Sequence, residues 1–154
     1  MNDNLRFFFG SQADYYTDVA EDLDAGKLRF NEGAFFLGMF WMAYRKMYAN
    51  AAITFGFFVV EGLLEDWLIP ELSQTKGYIL GSGLVIASVL GTIGNRLYIN
   101  FARQRVSTIA SPAADLDPDT ITQLRKAGGT SWTGPLVLLL VFIAVVSFTF
   151  WLTM

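Results

Sequence analysis

Residues 34–69 read AFFLGMFWMAYRKMYANAAITFGFFVVEGLLEDWLI, an apolar stretch interrupted by Arg45-Lys46 and, further on, by Glu61, Glu65 and Asp66. The part before the basic pair has about eleven residues; as a helix it rises ~16 Å, roughly half of a ~30 Å hydrocarbon core. Two adjacent cations favour holding that point at the water interface rather than inside one long helix. Residues 34–44 are therefore expected to form an interfacial or shallow re-entrant helix, with Phe35, Phe36 and Trp41 dipping into acyl chains. The first full span is expected from about Met47 to Ile69, with Tyr48 and Trp67 at the two interfaces and Pro70 closing it.

The same pattern recurs on the carboxyl side. Residues 77–98 are bracketed by Tyr78 and Tyr98, and residues 134–154 by Trp132 and Trp151; each stretch is close to the ~20 residues a bilayer requires. The composition agrees: 53% hydrophobic and only 16% charged, with a mean hydropathy of +0.40. Residues 34–60, 77–94 and 135–152 hold no charge except Arg45 and Lys46. The fold expected is an all-α integral membrane protein with three transmembrane helices, an amino-terminal amphipathic helix and a short interfacial or re-entrant helix.

The amino-terminal segment, residues 1–33, carries six acids within its first thirty residues and only the short apolar run Phe7–Phe9 between charges, which is not the pattern of a cleavable signal. Ser11 is placed to cap a helix over about 12–25, because Tyr15, Tyr16, Val19 and Leu23 recur at helical spacing and Gly26 follows. Residues 34–46 form the aromatic interfacial unit, and 47–154 a three-helix membrane unit with a connection at about 99–133. In that connection Leu97, Phe101, Val106 and Ile109 predict that the second span continues as an amphipathic helix until Ser111 and Pro112. Asp117-Pro118 predicts a new helix, which Gly128-Gly129 stop. Loop charge orients the spans: Arg96, Arg103, Arg105, Arg125 and Lys126 share one side with Arg45 and Lys46, whereas the loop 71–76 holds one acid and one base. Basic residues near span ends are retained inside. The amino terminus is expected in the cytoplasm and the carboxyl terminus outside.

With neither cysteine nor histidine, thiolate metal sites, imidazole proton shuttles and His-based triads are excluded. No enzyme activity, cofactor or metal is expected, and the separate placement of acids and bases gives no footprint for nucleic acid. Glu61 and Glu65 lie four apart on one face of the first span, with Asn50 at similar spacing, and form a candidate intramembrane polar site. Arg45, Lys46, Arg96, Arg103 and Arg105 are candidate headgroup contacts, although orientation alone also explains them. Gly83, Ala87 and Gly91 give the second span a candidate packing face, for another helix of the chain or for a second copy. Gly81-Ser82-Gly83 is no phosphate loop, since position 86 is isoleucine and the setting is a helix.

Phe30-Asn31, Ala34-Phe35-Phe36, Gly38, Trp41 and Tyr44-Arg45-Lys46-Met47-Tyr48 resemble the signature of the family called domain of unknown function 2628, small proteins of the bacterial inner membrane. Asp14-Tyr15-Tyr16 and Gly94-Asn95-Arg96-Leu97-Tyr98 are similar to further parts of that pattern. The resemblance covers about the first two thirds of the chain and implies a multi-pass inner-membrane protein, without implying a reaction. The function expected is that of a non-enzymatic membrane protein acting by interaction, as accessory subunit or homo-oligomer, with the lipid bilayer and a protein partner or a second copy on the second span as its contacts. The alternative is a small transporter or channel component using Glu61 and Glu65.

Overall fold

A computed structural model describes residues 3–110 and 117–153, and among them every regular element is helical. The chain opens with α1 (Asp3–Phe9), a 3-10 turn (Gly10–Gln12) and α2 (Ala13–Asp24). Two short helices follow, α3 (Glu32–Leu37) and α4 (Met39–Tyr44), then α5 (Tyr48–Leu68), the single turn α6 (Pro70–Ser73), α7 (Lys76–Ile109), α8 (Pro118–Ala127) and α9 (Thr133–Thr153).

Local chemistry sets most boundaries. Asn31 caps α3, its side-chain oxygen accepting from Ala34 N at 2.7 Å. Gly38 then takes φ 50° and ψ −122°, a conformation that favours glycine, and it splits residues 34–44 into two helices. α4 stops where Lys46 adopts φ 61°, unusual for a residue with a side chain. The strain is offset because Lys46 Nζ donates to Gly128 O at 2.6 Å and to Lys126 O at 2.9 Å, placing a cation on the carboxyl end of α8. Asp117 caps the start of α8 by accepting from Thr120 N at 2.6 Å.

Two expectations shift. The helix over 12–25 is observed as α2, but Ser11 lies in the 3-10 turn and the N-cap is Gln12, without a side-chain cap. α1 has no counterpart in the sequence reading: its seven residues are too few to show a period, yet Phe8 and Phe9 are almost wholly buried. Ser111 and Pro112, expected to break the second long helix, lie outside the described residues; α7 ends at Ile109.

The core sits at one end of the molecule. Phe8, Phe9, Tyr16, Val19, Trp41, Met42, Met47, Tyr98, Ile99 and Leu124 pack there as one cluster, joining α1, α2, α4, α8 and the second half of α7 into a helical head. Tyr98 is the hub: its ring lies 4.6 Å from that of Tyr16, 5.8 Å from Phe9 and 6.0 Å from Trp41. Such pairs add about 0.5–1.5 kcal/mol each beyond the area they bury. Trp41 was expected among lipid chains; it is 5% exposed inside this cluster, whereas Phe36, on the other side of Gly38, is 77% exposed.

Away from the head the long helices are bare. Two are long and apolar enough to cross a membrane by length and composition, α7 and α9, and none of the apolar window of α9 is buried. α5 has 21 residues as well, but Asn50, Glu61, Glu65 and Asp66 dilute its apolar character. Ile53, Leu63, Leu80, Leu140 and Phe150 are among its and its neighbours' exposed side chains.

Candidate functional site

A cavity of about 710 Å³ forms an open cleft in the head between α2, the loop after it and the end of α4. Four local features build it. The 3-10 turn, entered through Gly10 at φ 62°, swings Gln12 against the end of α4. α2 supplies Tyr15 and Tyr16. The loop before α3 supplies Arg29 to Asn31, and α4 supplies Trp41, with Arg45 at its carboxyl cap.

The loop wall is pinned to α7 by amides. Asn31 Nδ2 donates to Asn95 Oδ1 at 2.7 Å, Asn95 Nδ2 donates to Arg29 O at 3.0 Å, and Asn31 N donates to Gly91 O at 2.8 Å. The approach is close because Gly91 and Gly94 have no side chains: a Cβ on Gly91 would meet the ring of Phe30, and one on Gly94 would lie 2.6 Å from Ala34 Cβ.

Arg45 forms the floor. It is 5% exposed, its Nη2 donates to Gln12 Oε1, and its guanidinium carbon lies 4.8 Å from the ring centre of Tyr16, 5.2 Å from Tyr98 and 6.0 Å from Tyr44. Ring faces attract a cation. Among the described residues no carboxylate pairs with it, and Arg45 Nε and the Tyr98 hydroxyl are buried without a protein partner. Burial pushes the Tyr16 phenol well above its ordinary value, and the nearby Arg45 charge opposes that shift only in part. Arg29 lies 5.3 Å from the Tyr15 ring centre and makes a long 3.5 Å contact with Asp22.

The residues singled out in the sequence do not form one site. Asn50 lines a groove beside Lys46, Gln104 and Arg105. Eleven residues along α5, or ~16 Å, Glu61 and Glu65 share a separate groove with Tyr78, whose hydroxyl donates to Glu65 Oε1 at 2.5 Å. The basic set divides too. Arg45 lies inside the head and meets the outside only through the cleft, and Lys46 is committed to the end of α8, so neither stands on the open surface beside the other basic residues. Arg96, Arg103 and Arg105 are exposed, with Arg103 bound to Asp24 at 2.7 Å. On the candidate packing face, Gly91 is used within the chain against Phe30 and Phe35, and Gly83 stands open with nothing within 4 Å of a Cβ.

Sequence reasoning missed the cleft itself. Gln12 and Arg29 carried no pattern, and Trp41 read as a lipid-facing ring. One signal was present. Part of the pattern carrying the family resemblance, Asp14 to Tyr16, Phe30-Asn31, Trp41, Arg45, Asn95 and Tyr98, is scattered along the chain and meets around this cleft.

The family described as "Protein of unknown function (DUF2628)" matches residues 5–104, a stretch that includes every residue lining the cleft. No curated protein and no solved structure matches the chain. With about two thirds of its length matched, the chain belongs to the DUF2628 family.

Proposed function

We propose that the protein is an integral protein of the bacterial inner membrane that acts by non-enzymatic interaction, presenting its helical head to the cytoplasm on three spans. The spans are α5, the first half of α7 and α9. The observation that carries this reading is the division of the molecule into a packed head and long helices with exposed apolar side chains. Exposed apolar surface of this extent is costly in water and favourable in lipid. Arg96, Arg103 and Arg105, exposed on the head side of α7, suit the cytoplasmic leaflet and put the amino terminus inside and the carboxyl terminus outside.

Self-association uses the face of α7 at Gly83, which stands open, and Ala87, which is half-buried, since Gly91 is occupied within the chain; an accessory role uses the head surface. Crosslinking in intact membranes followed by mass spectrometry tests this reading. Recovery of homodimers joined near Gly83, or of one reproducible heterologous partner on the head, is the expected result. A chain that yields neither, and stays monomeric in lipid nanodiscs, contradicts it.

A second reading is favoured by one contact, the Tyr78 hydroxyl on Glu65 beside Glu61 in a shared groove. If these groups handle ions or protons, Glu61→Gln changes flux in proteoliposomes. Equal flux in both proteins removes that reading.

A further inference from the structure

Arg45 stands out because its environment is one anion short. A buried cation is ordinarily matched by a carboxylate with hydrogen bonds in good geometry, yet among the described residues no ion pair reaches it. Tyr16, Tyr98 and Tyr44 bring ring faces to it, and Tyr16 and Tyr98 their phenol groups as well, neutral partners that attract the cation without supplying a countercharge. Gln12 takes one N–H, and Nε is left without a partner. The same cleft receives a second guanidinium, Arg29, held by nothing firmer than the 3.5 Å contact with Asp22. Two planar N–H forks on one cavity suit the oxygens of a phosphate group.

Charge at the mouth narrows the ligand. Asp14 and Glu32 also line the cleft; Asp14 is paired with Arg6 at 2.7 Å, and Glu32 is exposed. These carboxylates disfavour a polyanion such as a nucleoside triphosphate and leave room for a single phosphate charge. The position of the cleft favours a particular source. Its wall at Asn31 is bonded to Gly91 O, near the end of the charge-free run 77–94 of α7, and the adjoining Leu28, Phe30 and Phe36 are 72%, 48% and 77% exposed. If α7 crosses the bilayer as proposed above, the cleft opens at headgroup depth.

We propose that Arg45 and Arg29 bind a singly charged phosphate group in this cleft, as the headgroup phosphate of a membrane phospholipid or as a free phosphate. Only the lipid source rests on the membrane reading; the anion site itself does not.

The test uses the full chain purified in a maltoside detergent, in two arms. In the first, inorganic phosphate is titrated at constant ionic strength against chloride while thermal unfolding is followed. In the second, retention of added phosphatidylethanolamine or phosphatidylglycerol is measured by native mass spectrometry. The variants are Arg45→Gln, Arg29→Gln and, as an exposed control of equal charge change on α8, away from the cleft, Arg125→Gln. At least one probe should bind the parent protein, with affinity falling tenfold or more in Arg45→Gln, severalfold in Arg29→Gln and not in Arg125→Gln. If Arg45→Gln does not fold, Arg29→Gln against Arg125→Gln decides. Phosphate binding identifies a free ligand, and lipid retention without phosphate binding identifies the headgroup. Failure of both probes to bind, or equal weakening by Arg125→Gln and Arg29→Gln, overturns the proposal. Phosphate binding in detergent is independent of whether the chain spans a bilayer, so loss of this proposal and loss of the membrane reading are separate results.

Discussion

Asn31 and Asn95, 64 positions apart in sequence, hold each other through a 2.7 Å amide hydrogen bond while both are almost completely buried. Each has a second duty. Asn31 caps α3, and Asn95 bonds the carbonyl of Arg29. Removing one member leaves a single buried polar atom of the other unpaired, Asn31 Nδ2 or Asn95 Oδ1, so Asn95→Ala should destabilise the protein by about 1–3 kcal/mol. Asn31→Ala should cost a similar amount, about 0.5–2 kcal/mol of it from the lost cap. Because they share a bond, the double variant should cost less than the sum of the two, measured by denaturation in detergent.

Lys46 combines a strained backbone with two hydrogen bonds to the end of α8. Lys46→Ala keeps the strain and loses the bonds, whereas Lys46→Gly loses the bonds and relieves the strain. Glycine should therefore be the milder substitution, by about 1 kcal/mol. A thermal melt in which alanine is the milder variant would refute the left-handed turn.

Gly91 and Gly83 lie eight residues apart on α7 in opposite circumstances. Gly91→Val drives a side chain into Phe30 and Phe35 and should cost about 1–3 kcal/mol of head stability. Gly83→Val meets nothing in the chain and should leave the melt unchanged, while weakening any dimer formed through that face. Limited proteolysis of the head and crosslinking yield separate the two effects.

Tyr16 supplies a pH dependence. Its folded-state value is raised, chiefly by burial, so the stability it contributes is fully present below the ordinary tyrosine range near ~10 and is lost as pH rises above it. Titration of absorbance near 295 nm should show Tyr16 ionising late, together with loss of near-ultraviolet dichroism, and Tyr16→Phe should diminish that late step, to which Tyr98, buried beside it, also contributes.

Much of this architecture was readable from residue type. Asp117-Pro118 and Gly128 bound α8 because cap chemistry is local, and α7 continues past its apolar half because Leu97, Phe101 and Val106 keep helical spacing. The DUF2628 membership was equally legible, in a motif block running from Phe30 to Tyr48. The cleft was not. Arg45-Lys46 reads as a basic pair at an interface, and only the fold turns Arg45 inward against rings from α2 and α7 while Lys46 reaches α8. Burial of a charge depends on contacts between residues dozens of positions apart, which no local period records. The same limit separates Asn50 from Glu61: they share a helical face, but each meets different neighbours.

The cysteine-free sequence makes the proposed membrane topology open to a single measurement. Single cysteines are introduced at Glu32, Thr75, Asp119 and Trp151 and challenged with a membrane-impermeant thiol reagent on intact bacteria, then again after lysis. With three spans and a cytoplasmic head, Thr75→Cys and Trp151→Cys react in intact cells, while Glu32→Cys and Asp119→Cys react only after the membrane is opened. Labelling of Glu32→Cys or Asp119→Cys from outside, or protection of Thr75→Cys, would contradict the topology and the cytoplasmic placement of the Arg45 cleft.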